Sequence, residues 1–185
     1  MAMVLEEVLR PDVEPDLFVI DRFNALSEAE KIRIMRENTT ERLEAQLVEG
    51  RAVWRAVEPF VLREVEEGRD VVVEGVAILP ELVHQLQNVE YKALFLGNQS
   101  RNHHWNIKQG AIENERDWMG KASDEFIAAF ATFVVQMSAF IEKEAHKYGF
   151  RYFELDGAPF DEAMGLVAQA LMADSVHKSD HPVRQ

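Results

Sequence analysis

The stretch "GRDVVVEGVAILPEL", Gly68 to Leu82, decides how this chain is read. Asp70 leads into three β-branched residues, Val71 to Val73, which run into Glu74-Gly75. A β-branched run bounded by a charge and a glycine predicts a short strand buried on both faces. A carboxylate at the end of such a strand is costly to desolvate unless something there needs it. Glu74 is therefore expected to face a polar cleft, where it could hold a metal or a water. The competing expectation is a cap or an ion pair with a neighbouring loop.

Working outward, strands and helices alternate. Upstream, "DLFVIDRF" (Asp16 to Phe23) predicts a strand with Asp21-Arg22 at its carboxyl end, after a short amphipathic helix that Pro11 stops. Ser27 is a good N-cap, with Glu28 and Glu30 favourable in the first turn. That helix is expected to end near Glu49, at Gly50. A second helix follows, with Pro59 as a kink or restart and Gly68 as the stop. Downstream, Pro80 suits the first helical position of "PELVHQLQ", and Tyr91 to Gly97 predicts a strand. The segment from Asn98 to Ala122 is polar and irregular, with a short helix near Ile112 to Met119. Ser123 then caps a long helix to Tyr148, "FRYFELDG" predicts a strand, and "PFDEAMGLVAQALMA" a final helix before a frayed tail from about Ser175.

This alternation predicts a three-layer α/β fold, a mostly parallel sheet with helices on both faces. Ligands in such sheets sit off the carboxyl ends of the strands, where Asp21, Glu74 and Asp156 are expected. The length, 185 residues, suits one domain with a substantial core. There is no cysteine, which fits a reducing, cytoplasmic setting. The N-terminus carries no signal-peptide pattern, and no apolar run is read as approaching the roughly 18 residues of a membrane span. Acidic residues number 33 against 20 basic ones, a net charge of −13. That balance argues against sequence-independent nucleic-acid binding, which needs cations to neutralise phosphates.

The strand ending Glu74-Gly75 with its proline-started helix, then "ALFLGNQ", then an arginine-bearing segment ending "ERDWM", then "EAHKYGFRYFEL", together resemble the P-loop kinases of small metabolites. They are most similar to the 2-phosphoglycerate kinase-like group and more distantly to nucleoside-monophosphate kinases. The resemblance runs from about Met1 to Met172. It implies a P-loop NTPase-like sheet and a small-molecule substrate, with ATP and magnesium as cofactors. It places Glu74 near the magnesium and the attacking hydroxyl. It turns Asp21 toward the acceptor substrate, with Arg22 meeting that substrate's anionic group. Residues 98–121 become a lid whose Arg101 and Arg116 neutralise the transferring phosphoryl group, and Gly157 lies near the adenine. Chemistry of this kind rests on positioning and charge neutralisation, and on a lid that excludes water.

One part of that pattern is missing. The chain has nine glycines, and none opens Gly-x-x-x-x-Gly-Lys-Ser/Thr; its one Gly-Lys pair, Gly120-Lys121, is followed by Ala122. The expectation is an N-terminally incomplete sheet, its first strand and phosphate-binding loop either lying upstream of Met1 or lost in evolution, and the sequence does not choose between the two. Without that loop's N–H donors and lysine, an acidic chain should bind ATP weakly. An incomplete sheet exposes edges and apolar faces, so a partner or second copy should cover them. The apolar run Phe126 to Phe140 reads as a core helix that could also serve a homo-oligomer interface. His103-His104 point different ways on any regular element, and Trp105 and Trp118 read as packing anchors. Two functional classes follow: an ATP-dependent kinase of a small metabolite, or the body of one, and an inactive kinase-like relic that acts through protein contacts.

Overall fold

In the computed structural model, helices dominate and the strands are few and short. It describes residues 5, 9–100, 105, 107–110, 118–155, 160–173 and 176–178. A 3-10 turn (Pro15–Phe18) leads into α1 (Val19–Asn24), α2 (Glu28–Glu37) and α3 (Thr39–Glu66). Then come α4 (Pro80–Val83), β1 (Glu90–Tyr91) and β2 (Leu94–Gly97). After a second 3-10 turn (Trp118–Lys121), α5 (Asp124–Lys147), β3 (Arg151–Glu154), α6 (Phe160–Ala173) and β4 (His177–Lys178) complete the order.

The expected three-layer fold with a mostly parallel, P-loop NTPase-like sheet does not form. Among the described residues the strands make two two-stranded sheets: β2 beside β3, parallel, and β1 beside β4, antiparallel. The reason is partnership. Backbone N–H and C=O groups need hydrogen-bond partners, and a strand finds them only on a neighbouring strand. Asp16 to Phe23, expected as a strand, has none among the described residues and coils instead, so its donors are satisfied locally. Pro15 suits the first position of the turn, and Arg22 Nη1 donates back to the Pro15 carbonyl at 3.0 Å. Val71 to Val73, the run that suggested a central strand, takes no regular structure. Residues β2 and β3 succeed because α5 carries the chain back into parallel register, Leu94 opposite Arg151 through Gly97 opposite Glu154.

The expected break at Gly50 is also absent, since α3 runs 28 residues through both Gly50 and Pro59. Gly50 serves packing. A Cβ there would sit 3.2 Å from the Ala77 carbonyl and 3.2 Å from Leu79 Cδ1. The missing side chain lets the Ala77–Leu79 segment press onto the helix. Late in the chain, His177 and Lys178 pair with Tyr91 and Glu90, and the expected frayed tail beyond Lys178 lies outside the described residues. The His177 ring stacks on Tyr91, with centroids 5.5 Å apart.

Two apolar clusters organise the interior. The larger gathers Leu17, Phe18, Val53, Trp54, Leu79, Phe95 and Phe150 around α3, α4, β2 and the end of α5. The smaller gathers Met35, Met119, Phe126, Ile127 and Phe133 between α2 and the start of α5. Ser123 caps α5, accepting from the Phe126 N–H at 3.1 Å, and donates to Glu28 at 2.5 Å, tying α5 to α2. By length and composition alone, α5 could cross a membrane, with mean hydropathy 1.4 over its most apolar stretch. Of that stretch 39% is buried, and its buried residues are shared between the two clusters. Thr132, Gln136, Ala139 and Lys143 take its exposed stripe, and none of the large exposed apolar side chains lies on it.

Candidate functional site

Two places have unusual chemistry. The first lies at the carboxyl ends of β2 and β3. Gly97 ends β2 against Tyr152 and Ser138. A Cβ at position 97 would collide with the Tyr152 hydroxyl and stand 2.7 Å from Ser138 Cβ, so glycine is what lets the two strands close here. Beyond it the backbone is held by side chains. The Asn98 N–H donates to Ser138 Oγ at 3.0 Å, and the Gln99 N–H to Glu154 Oε1 at 2.7 Å. The Gln99 amide donates to Glu142 Oε2 at 2.8 Å, and the Tyr152 hydroxyl to Glu154 Oε2 at 2.8 Å. Burial pushes the Tyr152 phenol well above its ordinary range, and the neighbouring carboxylates of Glu154 and Glu142 push the same way. The cluster is polar, anionic and internally hydrogen-bonded.

The second place is the opening stretch itself. Val71 is half-buried, Val72 is 91% exposed, Val73 is 38% exposed and Val76 is 75% exposed. Exposure alternates along Val71, Val72 and Val73, as it does on a strand with one face turned outward. Among the described residues, no hydrogen bond reaches the backbone N–H or C=O groups of Asp70 to Glu74. Phe60 and Val65, on the last turns of α3, add two more exposed apolar side chains just upstream.

The residues expected to form a catalytic centre are not gathered. Glu74 is exposed on the irregular stretch, without a buried strand behind it. Asp21 and Arg22 are exposed on α1, and Arg22 is engaged with Pro15. Among the described residues no hydrogen bond or ion pair joins Glu74 to Asp21 or Arg22. Arg101, Arg116 and Gly157 lie outside the described residues, as do His103, His104 and Asp156. No group of three or more His, Cys, Asp or Glu that could hold a metal ion occurs among the described residues. A shallow depression of about 170 Å³ lies between Asp16, Val48, Arg51, Ala52 and Arg55, but both arginines are committed, Arg51 to Glu81 and Arg55 to Glu14.

Sequence reasoning also missed a buried cation. Arg42 on α3 is 7% exposed. Its guanidinium lies 4.8 Å from the Phe23 ring and 4.4 Å from the Phe133 ring, and donates twice to Gln46 at 3.3 Å. Burial pulls its pKa down to about 10, against the pull of Glu49. This is a packing role, and an arginine within an amphipathic helix gives no sign of it. No protein-family model, no curated protein and no solved structure matches this chain.

Proposed function

We propose that this chain works as one part of an assembly, completed by a polypeptide laid along Asp70 to Val76. One observation carries this reading: a run of strand-forming residues has its backbone unpaired among the described residues and its middle side chain, Val72, 91% exposed. Unpaired strand edges with apolar side chains are templates for pairing with another chain, and stable proteins usually blunt or cover them. The experiment places a photo-crosslinking amino acid at position 72 in the native cell, with Thr132 on the exposed stripe of α5 as the control site. Polypeptide adducts at 72 and none at 132 are expected. Adducts at 72 no more abundant than at 132 would overturn the reading.

A second reading keeps the phosphotransferase class, with ATP and magnesium brought to a site completed by a phosphate-binding loop from outside these residues. The polar groups gathered at the carboxyl ends of β2 and β3 favour it, since parallel strands present ligand sites there. In that case transfer from ATP to a small hydroxylated acceptor should appear only when the loop is supplied, and Glu154→Gln, at the strand ends themselves, should lower it by about 10² to 10⁴.

A further inference from the structure

Resting on the contact reading just proposed, we infer that the occupant of the Asp70–Val76 stretch is a β-strand of a different polypeptide, apolar along its length and carrying a lysine or arginine at each end. The face it would meet is set by period two. On a strand, Asp70, Val72 and Glu74 share one face, while Val71 and Val73 share the other. The outward face therefore reads acid, apolar, acid. A strand laid opposite it is complementary when it reads base, apolar, base on that face, with apolar residues between. In one-letter terms the partner pattern is K or R, three apolar β-branched residues, then K or R. Strand addition of this kind draws affinity from main-chain hydrogen bonds and specificity from alternate side chains.

The surroundings favour the same charge. Glu64, Glu66, Glu67, Asp70 and Glu74 outnumber Arg63 and Arg69 between residues 63 and 76. Both arginines are already engaged inside the chain: Arg63 meets Glu67, and Arg69 meets Glu64 and Glu67. The uncompensated charge at the stretch is anionic.

That arrangement disfavours a second copy of this chain. An antiparallel self-pairing centred on Val72 sets Asp70 opposite Glu74 of the other copy on both sides, and like charges directly opposite are destabilising. Shifting by one residue sets Glu74 opposite Arg69, an arginine already held by two carboxylates. A parallel in-register pairing stacks each acid on its own copy. The overall charge of −13 on each chain adds repulsion at every approach.

The test is a peptide titration followed through the backbone amide signals of the intact chain. Two blocked peptides share a core: Ser-Lys-Val-Val-Val-Lys-Ser and Ser-Glu-Val-Val-Val-Glu-Ser. The basic peptide is expected to shift the amides of Asp70 to Val76, to bind about tenfold or more tightly than the acidic one, and to weaken with added salt. Two variants extend the test. Val72→Pro should abolish these shifts while leaving the rest of the spectrum in place, because it removes a ladder donor at an exposed position. Asp70→Lys combined with Glu74→Lys should reverse the order of the two peptides. Equal binding of both peptides, or shifts confined to other residues, would overturn the inference. So would concentration-dependent shifts at Asp70 to Val76 with no peptide present, which would mark a second copy as the occupant. Each of those results leaves the contact reading standing if cross-links form at position 72; absence of cross-links there removes the contact reading itself.

Discussion

Val71–Val73 and Leu94–Leu96 are both short apolar runs, both followed within two residues by a glycine, and they meet opposite fates. Leu94–Leu96 pairs with β3, buries Phe95 against Phe150 at 5.4 Å between ring centroids, and ends in a polar cluster. Val71–Val73 pairs with nothing among the described residues and turns Val72 to solvent. Side-chain type does not separate the two, and if anything three valines are the better strand formers. What separates them is supply of a neighbour. The 24-residue helix α5 delivers β3 beside β2, whereas α3 and α4 deliver no strand beside Val71–Val73. Strand propensity is a capacity that a neighbouring backbone has to realise.

The largest effect expected from this contrast is on stability. Phe95→Ala should cost about 3–5 kcal/mol, the range for emptying an aromatic site in a packed core. Val72→Ala should change stability by no more than about 0.5 kcal/mol, as an exposed position away from special features does. Urea unfolding of both variants measures the difference. A loss above about 1 kcal/mol for Val72→Ala would break the comparison, because it would mean the valine stretch packs in the free chain.

The same contrast explains which parts of the fold were legible in the sequence. Local signals held. Ser27 and Ser123 cap helices with Glu30 and Phe126 N–H groups as their partners, and the length of α5 followed from its acidic start, basic end and Gly149. Non-local facts were not legible. Asp16–Phe23 carries the side chains of a strand and coils because its neighbour is the helix α3, and no strand lies beside it among the described residues. Gly50 looked like a break and is instead a place where Ala77–Leu79 approaches closely. The polar cluster was hidden for the same reason: Gln99, Ser138, Glu142, Tyr152 and Glu154 are scattered along the chain and meet only because β2 and β3 align. Alternation of Tyr152 and Glu154 on one strand face was the one signal available. The family pattern pointed to Glu74 instead, and Glu74 is on the stretch that found no neighbour.

A smaller effect is expected where β2 ends. Gly97→Ala forces a methyl into the Tyr152 hydroxyl and Ser138, an overpacking that should cost about 1–3 kcal/mol. Adding Tyr152→Phe removes the atom in closest conflict, so the double variant should recover part of that loss. Thermal unfolding of the two singles and the double gives the coupling directly. Purely additive losses would show that the strand ends relax independently, and the tight closure of β2 on β3 would no longer distinguish it from the valine stretch.

The smallest effect is a slope against pH, and it tests whether the paired strands bury their polar end. The Tyr152 phenol is raised above the ordinary value of 10.0 chiefly by burial, with Glu154 and Glu142 reinforcing it and its hydrogen bond with Gln99 opposing. A raised value means that the folded chain holds the phenolic proton more tightly than the unfolded chain. Its stabilisation is then fully present below about pH 10 and is lost as pH rises above that, because the unfolded state releases the proton first. Unfolding free energies from neutral pH to about pH 11 should therefore fall at the alkaline end. Tyr152→Phe should flatten that fall without erasing it, since burial also raises Tyr91. An unchanged alkaline slope in Tyr152→Phe would place the phenol in water. The end of β2 would then be as open as the stretch around Val72.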